Sequence, residues 1–277
     1  MVQGSEGPTV QGSEGPTVQG SEGPRVHWPL RGLGALTWLE IKIFMREPLG
    51  VIGSVFVPVV VFLVIGRTFG GQMTGASPGE RGLVGVDLAV FASLLMCISA
   101  VLSLVTIISI YREGGILKRL RATPLRPLTI LSAHVLVKLL FTAITVAMMT
   151  LVGRHYLPVD IPIPWFAFTA ATLVSTLSIL SLGFVLASLA PTARFAQPIG
   201  TIVLYPMIGI SGLFRPVEQL PGLLKIAARL TPASYAVSLM RGAWYGDSWL
   251  DHGADFAALA IIFAVCTMLA VRLFRWE

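Results

Sequence analysis

Long apolar runs that contain almost no charge are the feature that most constrains how this chain of 277 residues can fold. A helix needs about 20 apolar residues to cross the roughly 30 Å hydrocarbon core of a bilayer. The length of the runs and the lack of period-two alternation favour helices over barrel strands. The sequence therefore predicts an all-α membrane protein with six transmembrane helices. The six predicted spans lie at or within Pro48–Gly66, Leu88–Ile110, Val135–Gly153, Trp165–Ala190, Phe195–Phe214 and Phe256–Val271.

The composition agrees with a lipid environment. The chain is 55% hydrophobic and 12% charged, whereas a soluble domain carries about 25% charged residues. The net charge of +6 comes from basic residues between the apolar runs, which is typical of loops at anionic head groups and not of a nucleic-acid-binding protein. Cys97 and Cys266 both lie in apolar runs, as small buried side chains do, so no disulfide framework is predicted. The four His residues have no metal-ligand spacing, so we predict no metal site.

The N-terminal segment differs from the rest of the chain. Residues 2–25 repeat an eight-residue unit three times, as VQGSEGPT, VQGSEGPT and VQGSEGPR. Gly, Pro, Ser and Glu dominate the repeat, so it has too few apolar residues to offset the entropy of ordering. We predict a disordered tail over residues 1–27, with a flexible cytoplasmic arm that binds a partner as the alternative. Residues 33–277 then form a single transmembrane domain.

A short amphipathic helix is predicted before the first span, over Leu33–Arg46. Its apolar residues would face lipid and its charged residues would face water, so we expect it to lie in the membrane interface. The apolar set is Leu36, Leu39, Ile43 and Phe44, and the charged set is Glu40, Lys42 and Arg46.

The distribution of Lys and Arg predicts the orientation. With six spans, both termini lie on one side of the membrane, and the segments on that side carry 12 Lys and Arg residues against seven on the other. Cytoplasmic loops carry the excess of positive charge. We therefore predict a multi-pass protein of the cell membrane with both termini in the cytoplasm.

The predicted spans offer no means of driving transport. Their interiors contain no Asp, Glu, Arg or His, and Lys138 lies near the start of the third span, where its side chain can reach the head groups. The chain also lacks the G-x-x-x-x-G-K-[ST] loop that cradles nucleotide phosphates. If the protein moves a solute uphill, another subunit must supply the free energy. The loop after the second span, 111–127, is the best contact for that subunit, with a basic loop held at the head groups as the alternative.

The loop contains Glu113, Gly115, Leu120 and the run Thr123-Pro124-Leu125, and in this it resembles the loop of the membrane subunits of ATP-binding cassette exporters of the second type. The family carries an E-x-G-x-x-x-x-L-x-x-T-P-L-x-P-like stretch after its second span. Its fixed positions are matched here by Glu113, Gly115, Leu120, Thr123, Pro124, Leu125 and Pro127. Ile116 replaces a Thr that is common in the family. The resemblance implies that the loop couples to the ATPase through Glu113, Gly114, Gly115, Leu117, Leu120, Thr123, Pro124, Leu125 and Arg126.

A second resemblance follows the fifth span. Residues 211–221 are similar to the family's S-G-x-x-x-P-x-x-x-L-P, and residues 230–242 to its N-P-x-x-Y…R-x-x stretch, with Thr231 where Asn is frequent. The resemblance implies short half-helices at the outer face that close the exit. The residues of this outer gate or cap would be Ser211, Gly212, Phe214, Pro216, Leu220, Pro221, Pro232, Tyr235 and Arg241.

The resemblance also implies the assembly. Such a permease works as a homodimer, or as a heterodimer with a second permease, together with two ABC ATPase subunits. ATP and Mg²⁺ would bind to the ATPase, so this chain would bind no cofactor and would not itself be an enzyme. Its apolar spans favour a hydrophobic or amphipathic cargo, such as a drug or a lipid-like molecule.

Three local patterns have alternative interpretations. The hydroxyls of the fourth span, including Thr172, Ser175 and Thr176, indicate either helix packing or a lining of the translocation path. Pro206 in the fifth span could kink the helix at a gate or be a static kink. The sequence Gly209–Gly212 also matches the G-x-S-G of six-span rhomboid proteases, which would make Ser211 a nucleophile. Such a serine needs a base, and His252 is the candidate near it in the sequence.

Overall fold

The structure is a computed structural model that describes residues 32–46, 48–73, 88–115, 127–156, 164–190 and 192–273. These ranges are helical and contain no strand. They include a π-helical turn at Ile52–Phe56 and a 3-10 turn at Val217–Gln219. The helices are α1 (Leu33–Arg46), α2 (Pro48–Val51), α3 (Val57–Met73), α4 (Leu88–Glu113), α5 (Pro127–Tyr156), α6 (Trp165–Leu189), α7 (Ala193–Gly209), α8 (Gly222–Leu230), α9 (Pro232–Tyr245) and α10 (Gly253–Leu273).

Four helices in the described ranges are long and apolar enough to cross a membrane. Their spanning segments are Val90–Tyr111, Thr129–Gly153, Trp165–Leu189 and Gly253–Leu273. They agree with the second, third, fourth and sixth predicted spans. The first predicted span contains a shorter apolar helix, Ile52–Val64, and the fifth corresponds to α7 with 17 residues. The prediction of six spans is therefore confirmed for four helices and stays a prediction for the other two.

The third span begins earlier than predicted. Helix α5 starts at Pro127, where proline suits the first helical turn, and its apolar segment starts at Thr129 instead of Val135. His134 therefore lies inside the spanning segment, and the prediction that the spans contain no histidine is wrong. His134 can lie inside a spanning segment because it is buried against other helices. Only 3% of His134 is exposed, because it faces α1 and α4 instead of lipid.

Helix α6 occupies the centre of the bundle. It packs against α4, α9 and α10, and apolar side chains on several of its faces are fully buried, among them Phe168, Ile179 and Leu180. The ring of Trp244 on α9 meets Phe168 edge to face, with centroids 4.9 Å apart. A helix that is apolar around its whole circumference is expected in such a position.

Helix α10 lies at the periphery. Its buried residues are Leu259, Cys266 and Ala270, whereas large side chains such as Ile261 and Val271 are more than 60% exposed. An apolar surface of this size on a helix of spanning length is expected to face lipid. Cys97 and Cys266 are both buried free thiols, as predicted.

Helix α1 is helical over the predicted residues, but its faces differ from the prediction. Ile41 and Phe44 pack toward Val55, Val137 and Phe141. Glu40 also faces inward, with 14% of its side chain exposed, whereas the predicted apolar residues Leu39 and Ile43 point outward with 51% and 43% exposed. The carboxylate is accommodated because polar partners on α4 and α5 meet it. The assignment of Glu40 to the water-facing side is therefore wrong.

Candidate functional site

The predicted coupling loop begins where α4 ends. Glu113 is the last helical residue and is exposed, and Gly114 N–H donates to the carbonyl of Ile110 at 2.9 Å. Gly115 has φ of 63°, a left-handed conformation in which glycine commonly ends a helix. The remaining predicted coupling residues, Leu117, Leu120, Thr123, Pro124, Leu125 and Arg126, lie outside the described residues.

One carboxylate on α1 contacts both helices that flank this loop. Tyr111, near the end of α4, donates its hydroxyl to Oε1 of Glu40 at 3.4 Å, and Nδ1 of His134 on α5 lies 3.3 Å from Oε2. The rings of Tyr111 and His134 are also in contact, with centroids 5.5 Å apart. Burial raises the pKa of Glu40, while the Tyr111 hydrogen bond and the nearby charge of Lys138 oppose the increase. Helix α1 is thereby attached to the two helix ends that enclose residues 116–126.

A cavity of about 500 Å³ opens beside this contact, between α1, the π-helical turn, α4 and α5. Lys138 lines it, and its ammonium donates to Oγ of Ser103 on α4 at 2.6 Å and lies 4.7 Å from the ring centre of Phe44 on α1. From the sequence, the Lys138 side chain could extend to the head groups. In the structure it also has partners within the protein, on α4 and α1.

The predicted outer cap contains a contact between its two motifs. Gly212 adopts φ of 86°, and a Cβ at this position would lie 3.0 Å from Cγ2 of Val217. Arg241 on α9 directs Nη2 toward the carbonyls of Gly212 and Leu213, both at 3.5 Å. The structure therefore brings Arg241 against the Ser-Gly segment 29 residues earlier in the chain.

The other predicted cap residues shape the short helices that follow. Pro216 precedes the 3-10 turn, Leu220 ends it, Pro221 precedes α8 and Pro232 is the first residue of α9. Tyr235 donates its hydroxyl to the carbonyl of Arg229 at 2.9 Å and so connects α9 to α8.

Phe214 is 44% exposed and meets Phe91 of α4 at a centroid distance of 6.3 Å. Short helical pieces occur in this segment, and their position at the outer face stays a prediction. The apolar side chains of α8 are also outward, with 85% of Leu223 and 61% of Ile226 exposed.

The connection between α9 and α10 contains a polar cluster that the sequence analysis missed. Nδ1 of His252 lies 2.9 Å from Oδ2 of Asp255, and Nε2 lies 3.6 Å from Oδ2 of Asp247. Ser238 of α9 donates to the same Asp255 oxygen at 2.7 Å. Burial lowers the pKa of His252, but hydrogen bonds to Asp255 and Asp247 and their negative charges outweigh it, so the pKa lies above its ordinary value. An aspartate three residues after His252, at the start of a helix, is the signal that could have revealed the pair.

The protease alternative finds no matching geometry. Ser211 is fully buried, and its hydroxyl donates to the carbonyl of Ile208 at 2.7 Å. Both ring nitrogens of His252 face carboxylates. A serine nucleophile requires a base that accepts its proton. In the structure, Ser211 donates to Ile208 and His252 contacts Asp247 and Asp255 instead.

The hydroxyls proposed to line a translocation path lie inside the helix packing. Thr172, Ser175 and Thr176 are fully buried, and the two threonines donate to carbonyls one turn earlier in α6, at 2.9 and 2.7 Å. Oγ1 of Thr176 also lies 3.2 Å from Sγ of Cys97 on α4. These contacts agree with the packing interpretation. Pro206 lies inside α7 and is exposed.

Comparison with known proteins identifies the family. The family model of the ABC-2 type transporter matches residues 31–245. Nodulation protein J of Rhizobium leguminosarum bv. trifolii is 33% identical over 99 residues, which cover 36% of this chain and 38% of that protein. Nodulation protein J of Bradyrhizobium diazoefficiens is 33% identical over 139 residues, covering 48% and 49%.

A longer match is to a daunorubicin resistance ABC transporter permease protein of Streptomyces coeruleorubidus. It is 25% identical over 242 residues, which cover 86% of this chain and 84% of that protein. The matched segments therefore span less than half of the nodulation proteins but most of the permease. Because the family model covers well over half of the chain and several helices are of spanning length, this chain is a multi-pass membrane protein that belongs to the ABC-2 type transporter family.

Proposed function

We propose that this chain is the membrane-spanning permease subunit of an ATP-driven exporter. The observation that carries the proposal is the match to the ABC-2 type transporter family over residues 31–245. In this proposal, a separate ATPase subunit binds ATP and Mg²⁺ and supplies the free energy. Two permease chains, identical or related, would assemble with two ATPase subunits in the cell membrane.

The proposed topology has six spans with both termini in the cytoplasm. Four helices of spanning length support it, and α7 together with the continuous helical segment from Pro48 to Met73 would supply the other two. The excess of Lys and Arg in the segments on the side of the termini supports this orientation. The segment 211–252 would then lie at the outer face and cap the exit.

The proposed cargo is a hydrophobic or amphipathic solute, such as a drug or a lipid-like molecule. The apolar and uncharged character of most of the spans supports this class. The name of the relative from Streptomyces coeruleorubidus, which refers to daunorubicin resistance, is consistent with export of a drug.

The loop after α4 would transmit the force of ATP hydrolysis. Its position between α4 and α5, whose ends are both attached to α1 through Glu40, supports this role, since a displacement of the loop would act on three helices at once. Residues from Glu113 to Arg126 would contact the ATPase.

Reconstituted permease without the ATPase should not concentrate a solute, and uphill transport by the chain alone would contradict the proposal.

Charged substitutions in the loop test its coupling to the ATPase. We expect Glu113→Lys and Leu117→Asp to reduce transport and binding of the ATPase while the helices stay folded. Glu218→Lys is the matched control, because Glu218 is also exposed but lies in the 3-10 turn of the proposed outer cap. Retention of ATPase in a pull-down, together with ATP-driven efflux from vesicles, is the measurement. Equal behaviour of Glu113→Lys and Glu218→Lys would contradict the assignment.

A further inference from the structure

The cavity beside α1 is a half-open groove of about 500 Å³, which reaches the surface at the exposed residues Ile43, Gly53 and Ile110. Ligand pockets typically measure about 300–1,000 Å³ and combine an apolar lining with a few polar groups. The walls here have that character. Phe44, Val137 and Phe141 provide apolar surface, and Ser99 and Ser103 place hydroxyls one helical turn apart on the wall formed by α4.

A distortion of the backbone forms one wall of the cavity. The π-helical turn Ile52–Phe56 contains Gly53 and Ser54, which both line it. Single π-helical turns inside α-helices occur frequently at functional sites. No atom lies within 4 Å of the position that a Cβ on Gly53 would take, so there is room for a group beside this turn.

Lys138 places a positive charge at this wall. A lysine within a spanning segment is costly and is usually retained for a function. The ammonium of Lys138 donates to Ser103, so the Ser103 oxygen acts as an acceptor and its own O–H can donate to another group. The adjacent Phe44 ring, 4.7 Å from Nζ, adds an apolar face next to the charge.

Glu40 also borders the cavity. Its two oxygens contact Tyr111 and His134, and its charge interacts with that of Lys138. An oxygen-rich ligand would meet Lys138 and the hydroxyl of Ser103 beside the apolar wall, with Ser99, Thr106, Thr142 and Gln197 as further polar residues of the lining.

The geometry points to a binding site for an amphiphile with an anionic head group, in which Lys138 and Ser103 hold the acidic oxygens and Phe44 and Phe141 contact the tail. This site adds the charge of the head group to the proposed class of cargo, and as a cargo site it rests on the proposed function. The acidic group could belong to an exported solute or to an anionic lipid of the inner leaflet, and both share the chemistry that the site recognises.

Direct binding tests the site. The full chain with its ATPase partner would be placed in nanodiscs of phosphatidylcholine, and binding of radiolabelled dodecyl phosphate would be measured at equilibrium. Dodecyl maltoside and dodecyl trimethylammonium serve as competitors with the same tail but a neutral or cationic head group. We expect saturable binding of the phosphate and at least tenfold weaker competition by the other two, as for the loss of a charge-assisted contact.

Substitutions locate the binding. Lys138→Met keeps the apolar stem and removes the charge, and we expect it to weaken binding by about tenfold or more, while Lys138→Arg retains most of it. Gly53→Leu should fill the cavity and also weaken binding. Gly34→Leu is the matched control, because Gly34 is an exposed helical glycine of α1 outside the cavity. If Lys138→Met fails to fold, the head-group series and Gly53→Leu decide the question.

Two results would overturn the site: equal affinity for the three head groups, or wild-type affinity in both Lys138→Met and Gly53→Leu. Displacement of dodecyl phosphate by phosphatidylglycerol in the disc would identify a lipid as the occupant, and lack of displacement would identify a solute. ATP-driven transport separates this inference from the proposed function. Lysine-dependent binding without ATP-driven transport would support the site and contradict the exporter. Normal transport, together with unchanged dodecyl phosphate binding in both Lys138→Met and Gly53→Leu, would support the exporter and contradict the site.

Discussion

The imidazole of His252 packs so closely against the backbone of Gly242 that no Cβ fits between them: a methyl group at position 242 would collide with Nε2 and with both neighbouring ring carbons. The ring cannot easily move away, because its nitrogens face the carboxylates of Asp255 and Asp247. The contact therefore fixes the distance between α9 and the start of α10.

We expect Gly242→Ala to lower the free energy of unfolding by about 1–3 kcal/mol, the usual cost of overpacking. Gly209→Ala is the matched control, since no atom lies within 4 Å of its added Cβ. The control should be neutral or slightly stabilising, because alanine favours a helix over glycine. Thermal unfolding in detergent measures both. A midpoint in Gly242→Ala equal to that of Gly209→Ala would show that His252 moves aside without cost.

The cluster around His252 predicts a dependence of stability on pH. The pKa of His252 is raised in the folded protein, so its protonated form contributes stability that is fully present below the ordinary pKa near 6.5. This stability is lost as the pH rises from that value through the raised pKa. Unfolding midpoints measured between about pH 5.5 and 8.5 should therefore fall in the wild type. His252→Gln should reduce this slope, and Asp247→Asn should move it to lower pH. If the midpoint of His252→Gln fell equally with pH, the dependence would come from another group.

The attachment of α1 depends on Glu40. Removal of one partner from a buried hydrogen-bonded contact costs about 1–3 kcal/mol, so Glu40→Ala should destabilise the protein and release α1 from α4 and α5. Glu40→Gln should cost less, because the amide can still accept from Tyr111. Lys42→Ala is the control on the exposed side of the same helix and should change stability by less than about 0.5 kcal/mol. Equal loss in both alanine variants would argue against the contact.

We expect the contact of Arg241 with Gly212 to stabilise the predicted outer cap. Arg241→Met keeps much of the side-chain volume but removes the donors to the carbonyls of Gly212 and Leu213. We expect amide hydrogen exchange to increase by about tenfold over residues 211–217, as for the loss of roughly 1.4 kcal/mol in local stability. Arg241→Lys should restore part of the protection. Arg229→Met, at an exposed position on α8, is the control. An equal increase in the exchange of residues 211–217 in Arg229→Met would contradict the role of Arg241.

Much of the architecture follows from the sequence alone. Charge-free runs of hydrocarbon length predict helices, because a bilayer leaves no other way to satisfy the backbone in a single segment. The fourth span agrees closely, with Trp165–Leu189 against the predicted Trp165–Ala190. The broken helices after the fifth run were also predictable, because Pro216, Pro221 and Pro232 cannot continue a helix from the preceding turn.

The tertiary structure decided where the polar groups face. From the sequence, Glu40 belongs to the water-facing side of an amphipathic helix, His134 falls just outside the third predicted span, and Lys138 can reach the head groups. The fold instead directs all three inward, toward partners on other helices that are dozens of residues away. The physical reason is that hydropathy measures the cost of placing a side chain in lipid, whereas the partners that offset this cost come from the packing of distant helices, which no local pattern records.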